Sequence, residues 1–256
     1  MKHTSSQYFD DPVEAYTCLA PHYADLSSLR RPYLLSVENT VISRIPAGSS
    51  SLLDIGAGDG SRALRIAGKC GIANIVLVEP SLEMAAPAAG LAKVLNVRAE
   101  ELSDTSTKFD VITCLWNVLG HICGVERRAR TMKTMGRLLT PEGRCFVDLN
   151  NRCNLRSYGL FPTVARFIRD SISYKSENAD VTARWTFGDK TISTYGHVFT
   201  DREIRQMVHE SGLEIEERIV VDYDSGKIRR FVFMGNLLYV LRRKSSMDSA
   251  SAPHTS

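Results

Sequence analysis

Five short, almost continuously apolar runs alternate with helix-like segments between residues 51 and 149, and this alternation limits the fold more than any other sequence feature. The runs are residues 51–55, 75–78, 94–97, 109–114 and 144–149, and the helix-like segments are residues 61–69, 81–91 and 126–139. Strands that are apolar on both faces are typical of a parallel sheet covered by helices on each side. The sequence therefore predicts a doubly wound α/β fold.

The segments around the five runs predict a division of the chain into four parts. Residues 1–46 have a helical pattern broken by prolines, which we interpret as an N-terminal helical lid. Residues 47–150 and 200–244 form the predicted core, because the latter add one helix and two long strands that pair antiparallel. Between them, residues 151–199 lose the alternation and contain a hairpin pattern, which predicts an inserted substrate cap. The Ser- and Ala-rich residues 245–256 predict a disordered tail.

Composition narrows the class of protein further. The chain has 256 residues, 43% of them hydrophobic and 24% charged, which excludes a largely disordered chain. Its net charge of +3 argues against a nucleic-acid partner. Six scattered cysteines without a CxxC pair predict reduced thiols and no metal site. The N-terminus is polar and no long apolar run is present, so we expect neither export nor membrane insertion and place the protein in the cytoplasm. We expect a monomer or a homodimer.

The first apolar run ends in LDIGAGDGS at residues 53–61, where three glycines alternate before a helix begins. Glycine lets the backbone turn tightly and approach a ligand, and the helix N-terminus offers free N–H groups. Glu79 ends the second run, where a carboxylate is placed to accept both hydroxyls of a ribose. A dinucleotide fingerprint would need glycine at Ser61, and Asp54 suits a ligand with an ammonium group. The residues leave three alternatives open: a nicotinamide dinucleotide, an ammonium-bearing nucleoside, or a turn without cofactor.

Four motifs in register then point to a family. LLDIGAGDG at 52–60, VEPS at 78–81, FDVI at 109–112 and LLTPEGR at 138–144 resemble, in order and spacing, the motifs of class I S-adenosylmethionine-dependent methyltransferases. The resemblance implies a Rossmann-like, mostly parallel sheet of seven strands with the last strand antiparallel. It also implies S-adenosyl-L-methionine as the cofactor.

The resemblance further implies a set of cofactor residues. They are Arg31, Asp54, Gly56, Ala57, Gly58, Glu79, Pro80, Met84, Ala99, Glu100, Leu115 and Trp116. Within this set Glu79 would hold the ribose, Pro80 and Met84 would pack on the adenine, and Arg31 of the lid would reach the carboxylate. Where the family often has an Asp-Ala pair after the third strand, this chain has Arg98-Ala99, so Ala99 and Glu100 are the candidates for the adenine contact.

The segment after the fourth run, residues 115–122, resembles that of glycine N-methyltransferase-like and other small-molecule methyltransferases. It lacks the Asn/Asp-Pro-Pro-Tyr motif of enzymes that methylate nucleobase amines. Because strand ends open onto the ligand crevice, residues there and in the lid and cap are candidates for substrate contact. They are Tyr16, Tyr23, Asn117, Asn150, Arg152 and Tyr195. His121 and His197 are candidate bases, and a core or helix-capping histidine is the alternative for His121.

These observations predict an enzyme that transfers a methyl group from S-adenosylmethionine to N or O of a small-molecule acceptor. The methyl donor is already activated, so alignment and exclusion of water provide most of the catalysis. A base is needed only where the acceptor arrives protonated. The alternatives are an NAD-dependent oxidoreductase and a non-catalytic partner subunit that keeps the cofactor fold.

Overall fold

The computed structural model describes residues 5–102, 107–172 and 175–244, so the predicted tail at residues 245–256 lies outside the described residues. Its strands are β1 (Ser5–Phe9), β2 (Ser51–Ile55), β3 (Asn74–Val78), β4 (Lys93–Leu95), β5 (Phe109–Cys114), β6 (Leu139–Leu149), β7 (Asp180–Phe187), β8 (Lys190–His197), β9 (Leu213–Val221), β10 (Ile228–Arg229) and β11 (Asn236–Arg243). Its α-helices are α1 (Pro12–Leu19), α2 (Tyr23–Ser28), α3 (Arg31–Ile42), α4 (Ser61–Cys70), α5 (Leu82–Ala85), α6 (Val125–Leu138), α7 (Leu155–Tyr158), α8 (Leu160–Ile172) and α9 (Asp201–Glu210).

The central sheet has the strand order β10-β9-β11-β6-β5-β2-β3-β4. The five strands from β2 to β6 run parallel, and β11 runs antiparallel to both of its neighbours. The predicted mostly parallel sheet with an antiparallel last strand is therefore confirmed. The described residues add an eighth strand, the two-residue β10, because the chain folds back after β9 and pairs Ile228 with Val221.

The strands at the centre of the sheet are buried on both faces, which explains why they are continuously apolar. Every residue of β2 is buried. Leu53 and Ile55 pack on one face with Ile112 of β5. Leu52 packs on the opposite face with Ile66 of α4. Successive side chains of a strand point to opposite faces, so only a strand covered on both sides can be apolar at each position.

A second sheet of three strands has the order β1-β8-β7. Strands β7 and β8 form the predicted antiparallel hairpin, and its turn contains Gly188 with a φ of 58°. The sequence did not predict β1, which pairs parallel with β8 from Ser5 against Lys190 to Phe9 against Thr194. A short polar strand whose partner lies far along the chain leaves no periodic signal, so its pairing is visible only in the structure.

Local signals set several helix boundaries. The Asp11 side chain accepts a hydrogen bond from the Val13 N–H at 3.0 Å and caps α1. Thr200 caps α9 by accepting from the Glu203 N–H at 3.1 Å. The helix expected over residues 81–91 is shorter, because α5 gives way at Ala85 to a 3₁₀ turn that contains a proline. No helix among the described ranges combines the length and apolarity needed to cross a membrane.

Candidate active site

The glycine turn lies at the carboxyl end of β2, and two of its glycines are required by geometry. Gly56 and Gly58 have φ values of 68° and 58°, a left-handed region that favours glycine. A Cβ atom at Gly56 would lie 2.5 Å from the Val118 side chain. A Cβ atom at Gly58 would lie 3.2 Å from Tyr23 Oη and 3.3 Å from Met84 Cε. Packing against Val118 therefore requires glycine at position 56, and the absence of a side chain at Gly58 keeps space free in front of the turn.

Glu79 at the end of β3 faces this turn. Its Oε2 accepts from the Gly58 N–H at 2.9 Å, and its Oε1 accepts from the Ser81 N–H at 3.0 Å. Burial raises the pKa of the Glu79 carboxyl, and the two backbone N–H groups act in the opposite direction. A direct hydrogen bond therefore joins the glycine turn to Glu79.

A cavity of about 660 Å³, here called the turn cavity, opens between the glycine turn, Glu79 and the N-terminal helices. Nine of the predicted cofactor residues line it: Gly56, Gly58, Glu79, Pro80, Met84, Ala99, Glu100, Leu115 and Trp116. The other three do not: Ala57 is buried, Asp54 lies within the strand before the turn, and Arg31 is exposed. The structure therefore brings together segments from the ends of four neighbouring strands.

Asp54 is a buried carboxyl with one oxygen unpaired. Its Oδ1 accepts from Thr113 Oγ1 at 2.6 Å, and its Oδ2 has no hydrogen-bond partner among the described residues. Burial raises the pKa of Asp54, and the nearby positive charge of Arg62 lowers it. A buried, unpaired carboxylate oxygen is costly unless a cation or donor reaches it.

The arginine beside the glycine turn that lines the turn cavity is not the predicted one. Arg31 begins α3 on the exposed side and does not line the turn cavity, so the structure does not bring it to the other predicted cofactor residues. Its neighbour Arg30 is paired with Asp224 at 2.6 Å. Arg62 of α4 does line the cavity: its Nη2 donates to the Leu115 carbonyl at 3.3 Å, and its buried Nε has no partner among the described residues. Sequence reasoning missed Arg62, although it sits two residues after the last glycine of the turn.

The loop after β5 is strained. Trp116 and Asn117 have φ values of 63° and 62°, a region that costs residues other than glycine about 1–3 kcal/mol each. Asp148 of β6 holds both, because its Oδ2 accepts from the Trp116 N–H and its backbone carbonyl accepts from the Asn117 N–H, each at 2.9 Å. Tyr33 donates to the other carboxylate oxygen, and the Asn150 N–H donates to the Asn117 side chain at 2.9 Å. The surroundings thus hold this loop in an unfavourable backbone conformation.

A second cavity of about 410 Å³ lies against the hairpin β7–β8 and is here called the hairpin cavity. It shares four residues with the turn cavity: Tyr16, Tyr23, Trp116 and His121. Asn117 and Asn150 line it as well. Four of the six predicted substrate residues therefore meet at this cavity.

His121 lies in the wall common to both cavities. Its Nδ1 is 3.1 Å from the Tyr195 backbone carbonyl, and its ring packs edge-on against Tyr16 at a centroid distance of 5.3 Å. A carbonyl oxygen only accepts, so Nδ1 carries the proton and Nε2 is an acceptor. Burial lowers the pKa of His121, which favours the neutral ring.

The prediction that His197 lies at the substrate opening is wrong. Its ring is fully buried and lines neither cavity. Its Nδ1 is 2.6 Å from Asp180 Oδ1, and its Nε2 is 3.0 Å from Glu203 Oε1. Both ring nitrogens are therefore engaged within the protein, and His197 ties β7 and β8 to α9.

Two predicted substrate residues also have other positions. Arg152 is buried and pairs with Asp170, with Nε 2.6 Å from Oδ2. The Tyr195 hydroxyl donates to Asp180 at 2.7 Å and accepts from Arg128 at 2.9 Å. Neither residue lines the turn cavity or the hairpin cavity, so the structure does not bring these two to the other predicted substrate residues. Tyr195 contributes to the site through its backbone carbonyl instead.

The strand order, the glycine turn and the acid that faces it together define the class I methyltransferase fold. Comparison with known proteins agrees. The sequence model of a family described as "Methyltransferase domain" matches residues 29–218, which is more than half of the chain. The chain therefore belongs to this family, among the class I S-adenosylmethionine-dependent methyltransferases.

Solved structures share the fold at low sequence identity. An S-adenosylmethionine-dependent methyltransferase from Clostridium acetobutylicum has a TM-score of 0.62 at 15% identity, over 90% of this chain and 99% of its own. A possible histamine N-methyltransferase from Thermotoga maritima has a TM-score of 0.59 at 18% identity, over 91% and 99%. The sugar N-methyltransferase KedS8 from Streptoalloteichus has a TM-score of 0.56 at 17% identity, over 87% and 92%. No curated protein matches the sequence significantly.

The family assigns S-adenosylmethionine as the cofactor and sets aside the nicotinamide alternative. The likeness to glycine N-methyltransferase stays a prediction. The structural neighbours show the fold, and the acceptor is a separate question that depends on the residues of the two cavities.

Proposed function

We propose that this chain transfers a methyl group from S-adenosylmethionine to a nitrogen or oxygen atom of a small-molecule acceptor. One observation carries the proposal: the turn cavity and the hairpin cavity have a common wall, formed by Tyr16, Tyr23, Trp116 and His121. A donor in one cavity and an acceptor in the other would meet at this wall. Volumes of about 660 and 410 Å³ suit small-molecule ligands.

The residues around the turn cavity fit the cofactor. Glu79 offers carboxylate oxygens to ribose hydroxyls, and Gly58 leaves the turn open to a ligand. Asp54 lies outside the cavity, in the strand before the turn, so its buried carboxyl with the unpaired Oδ2 would act on a bound cation only through its charge. When bound, S-adenosylmethionine supplies a methyl group on a positively charged sulfur.

Arg62 takes the role that the sequence suggested for Arg31. Arg62 lines the turn cavity, and its Nε is buried without a partner among the described residues. A guanidinium presents several N–H donors in one plane, which matches the geometry of a carboxylate. We therefore assign Arg62 to the carboxylate of the cofactor.

His121 is the general base of the proposal. Its Nδ1 proton is held by the Tyr195 carbonyl at 3.1 Å, which leaves Nε2 to accept a proton from the acceptor. The lowered pKa keeps the ring neutral at neutral pH, so it is ready to accept. Such a base is needed where the acceptor is an ammonium or a hydroxyl group.

The aromatic residues of the common wall orient the reactants and exclude water. Trp116 is fixed by its strained backbone and by its hydrogen bond to Asp148. Tyr23 lies against it, with a centroid distance of 5.8 Å between the two rings. Fixing two reactants in line contributes about 7–11 kcal/mol in favourable cases.

The test measures cofactor binding by calorimetry and methyl transfer to a panel of amines and phenols by mass spectrometry. We expect cofactor binding and a mass gain of one methyl group on at least one acceptor. His121→Gln should lower kcat by about 10²–10⁴ and leave cofactor affinity unchanged. The acid limb of the kcat profile should lie below pH 6.5, the ordinary pKa of histidine, because burial lowers the pKa of His121.

His209→Gln is the matched control, because His209 is exposed on α9 and lines neither cavity. An equal loss in both variants would contradict the role of His121. Cofactor binding without transfer to any acceptor would favour the non-catalytic partner subunit.

A further inference from the structure

Arg166 of α8 is an unpaired cation in the wall of the hairpin cavity. Its Nη1 is buried and has no hydrogen-bond partner among the described residues. Its guanidinium carbon lies 4.5 Å from the centre of the Tyr158 ring, which holds the group in place. A buried guanidinium N–H without an acceptor has given up its hydrogen bond to water and gained none from the protein. This costs free energy unless a ligand supplies the acceptor.

The neighbouring arginines differ, because each has an acidic partner. Arg152 pairs with Asp170 at 2.6 Å, and Arg156 pairs with Asp222 at 2.5 Å. Arg169, on the same helix as Arg166, also lies beside Asp170, at 3.7 Å. Among the described arginines of α7 and α8, Arg156 and Arg169 each lie within 4 Å of a carboxylate, and Arg166 does not. It is also the one that lines a cavity.

The charge of the hairpin cavity has one sign. Its described lining includes Arg166 and Arg184 and no aspartate or glutamate. The remainder is aromatic, aliphatic and neutral polar, with Tyr158, Trp185 and Tyr223 among the aromatic side chains. A small cavity that holds positive charge and excludes carboxylates attracts an anion and disfavours a cation.

We propose that the acceptor carries an oxyanion, a carboxylate or a phosphate group, and that Arg166 binds it. The planar guanidinium donates two parallel hydrogen bonds to such a group. His121 lines the same cavity, so the oxyanion at Arg166 would orient the reacting nitrogen or oxygen toward the common wall. This inference rests on the proposed function and narrows its acceptor to an anionic compound with a flat or apolar body.

The test uses four probes that share one body and differ in one group. They are 3-(4-hydroxyphenyl)propionate, the corresponding alcohol, the corresponding amine and the phosphonate analogue. Each is titrated by calorimetry into the full chain saturated with S-adenosylhomocysteine, so that no transfer is needed for the readout. We expect the carboxylate or the phosphonate to bind at least about tenfold more tightly than the alcohol, and the amine no more tightly than the alcohol. The tighter of the two anions identifies the source of the oxyanion.

Substitutions then locate the group responsible. Arg166→Met should remove the preference for the anion over the alcohol, and Arg166→Gln should do the same if the methionine variant does not fold. Arg169→Met is the matched control, because it removes one positive charge from the same helix outside the cavity. It should leave the preference intact.

Equal affinity of the anions and the alcohol, no binding of either anion, or a preference that survives in the Arg166 variants would overturn the inference. Methyl transfer to neutral acceptors without an anion preference would overturn it and leave the proposed function standing. Binding of the anion through Arg166 without transfer to any acceptor would overturn the proposed function and the statement that the bound anion is a methyl acceptor, and only the anion site at Arg166 would stand.

Discussion

The turn cavity and the hairpin cavity meet at the same four side chains, but they are built differently. The turn cavity follows the ends of neighbouring parallel strands, and its described lining contains both acids, such as Glu79, and arginines, such as Arg62. The hairpin cavity adds α7, α8, β7, β8 and the loop after β9 to the N-terminal helices and the loop after β5, and its described lining contains arginines but no aspartate or glutamate. Backbone conformation thus shapes the first cavity, whereas the identity of a few side chains decides what the second one binds.

A side chain at Gly58 should have the largest effect, and this effect should be confined to the turn cavity. Gly58→Val places a side chain beside Tyr23 Oη and Met84 Cε, so we expect cofactor binding to fall by more than about 100-fold. The left-handed φ of 58° should also lower the free energy of unfolding by about 1–2 kcal/mol. Calorimetry measures the first effect and thermal unfolding the second.

Gly71→Val separates these two effects. Gly71 has a φ of 69°, but a Cβ atom there meets nothing within 4 Å, and it lies outside both cavities. We expect a similar loss of stability with unchanged cofactor affinity. Unchanged affinity in Gly58→Val would refute the assignment of the turn cavity to the cofactor.

Substitution of the two candidate arginines should produce an intermediate change in cofactor affinity. Arg62→Met should weaken cofactor binding by about 10- to 100-fold, because it removes a charge-assisted hydrogen bond of about 1.5–3 kcal/mol. Arg31→Met should change the affinity by less than about twofold, because Arg31 is exposed and lines neither cavity. The opposite ranking would restore the residue that the sequence suggested.

The smallest effect is a pH dependence of cofactor binding. Burial raises the pKa of Glu79 and of Asp54 above their ordinary values of 4.5 and 3.8. Protonation removes the negative charge that favours a cationic ligand, so affinity should fall by at most about tenfold per pH unit for each acid as the pH drops through these raised values.

The stability contribution of these acids has the opposite sign. A pKa raised in the folded state stabilises the protein below the ordinary pKa, and this contribution is lost as the pH rises through the raised value. Glu79→Gln should remove part of both dependences. Glu83→Gln, an exposed neighbour, should leave them unchanged. Because both pKa values lie above their ordinary values, an affinity that stays constant as the pH falls to 3.8 would contradict the role of these acids in binding.

Features that depend on neighbours in sequence were predictable. The continuous apolar runs gave the parallel sheet, because a strand covered on both faces must be apolar at each position. The glycine turn and Glu79 were found together because the ends of adjacent parallel strands share one edge of the sheet. The central sheet has eight strands where seven were predicted. The additional strand is β10, whose two residues are too short to form a sequence pattern.

Features that depend on the direction of a side chain were not predictable. Arg31 and Arg62 both lie in the first turn of a helix, and only helix packing decides that the second one enters the turn cavity. His121 and His197 were both candidate bases, with a core or helix-capping role as the alternative for His121. The structure separates them, because His197 is enclosed by Asp180 and Glu203 from different elements.

The order of apolar runs and glycines is therefore sufficient to define the sheet, the turn and the acid beside it, since each is set by local periodicity and backbone sterics. The hairpin cavity arose only from folding, which brought Arg166, Tyr158 and Tyr223 to one place, with no aspartate or glutamate in the described lining. Contacts between residues distant in the chain depend on how the layers pack. Charge and shape in this cavity are thus properties of the folded molecule.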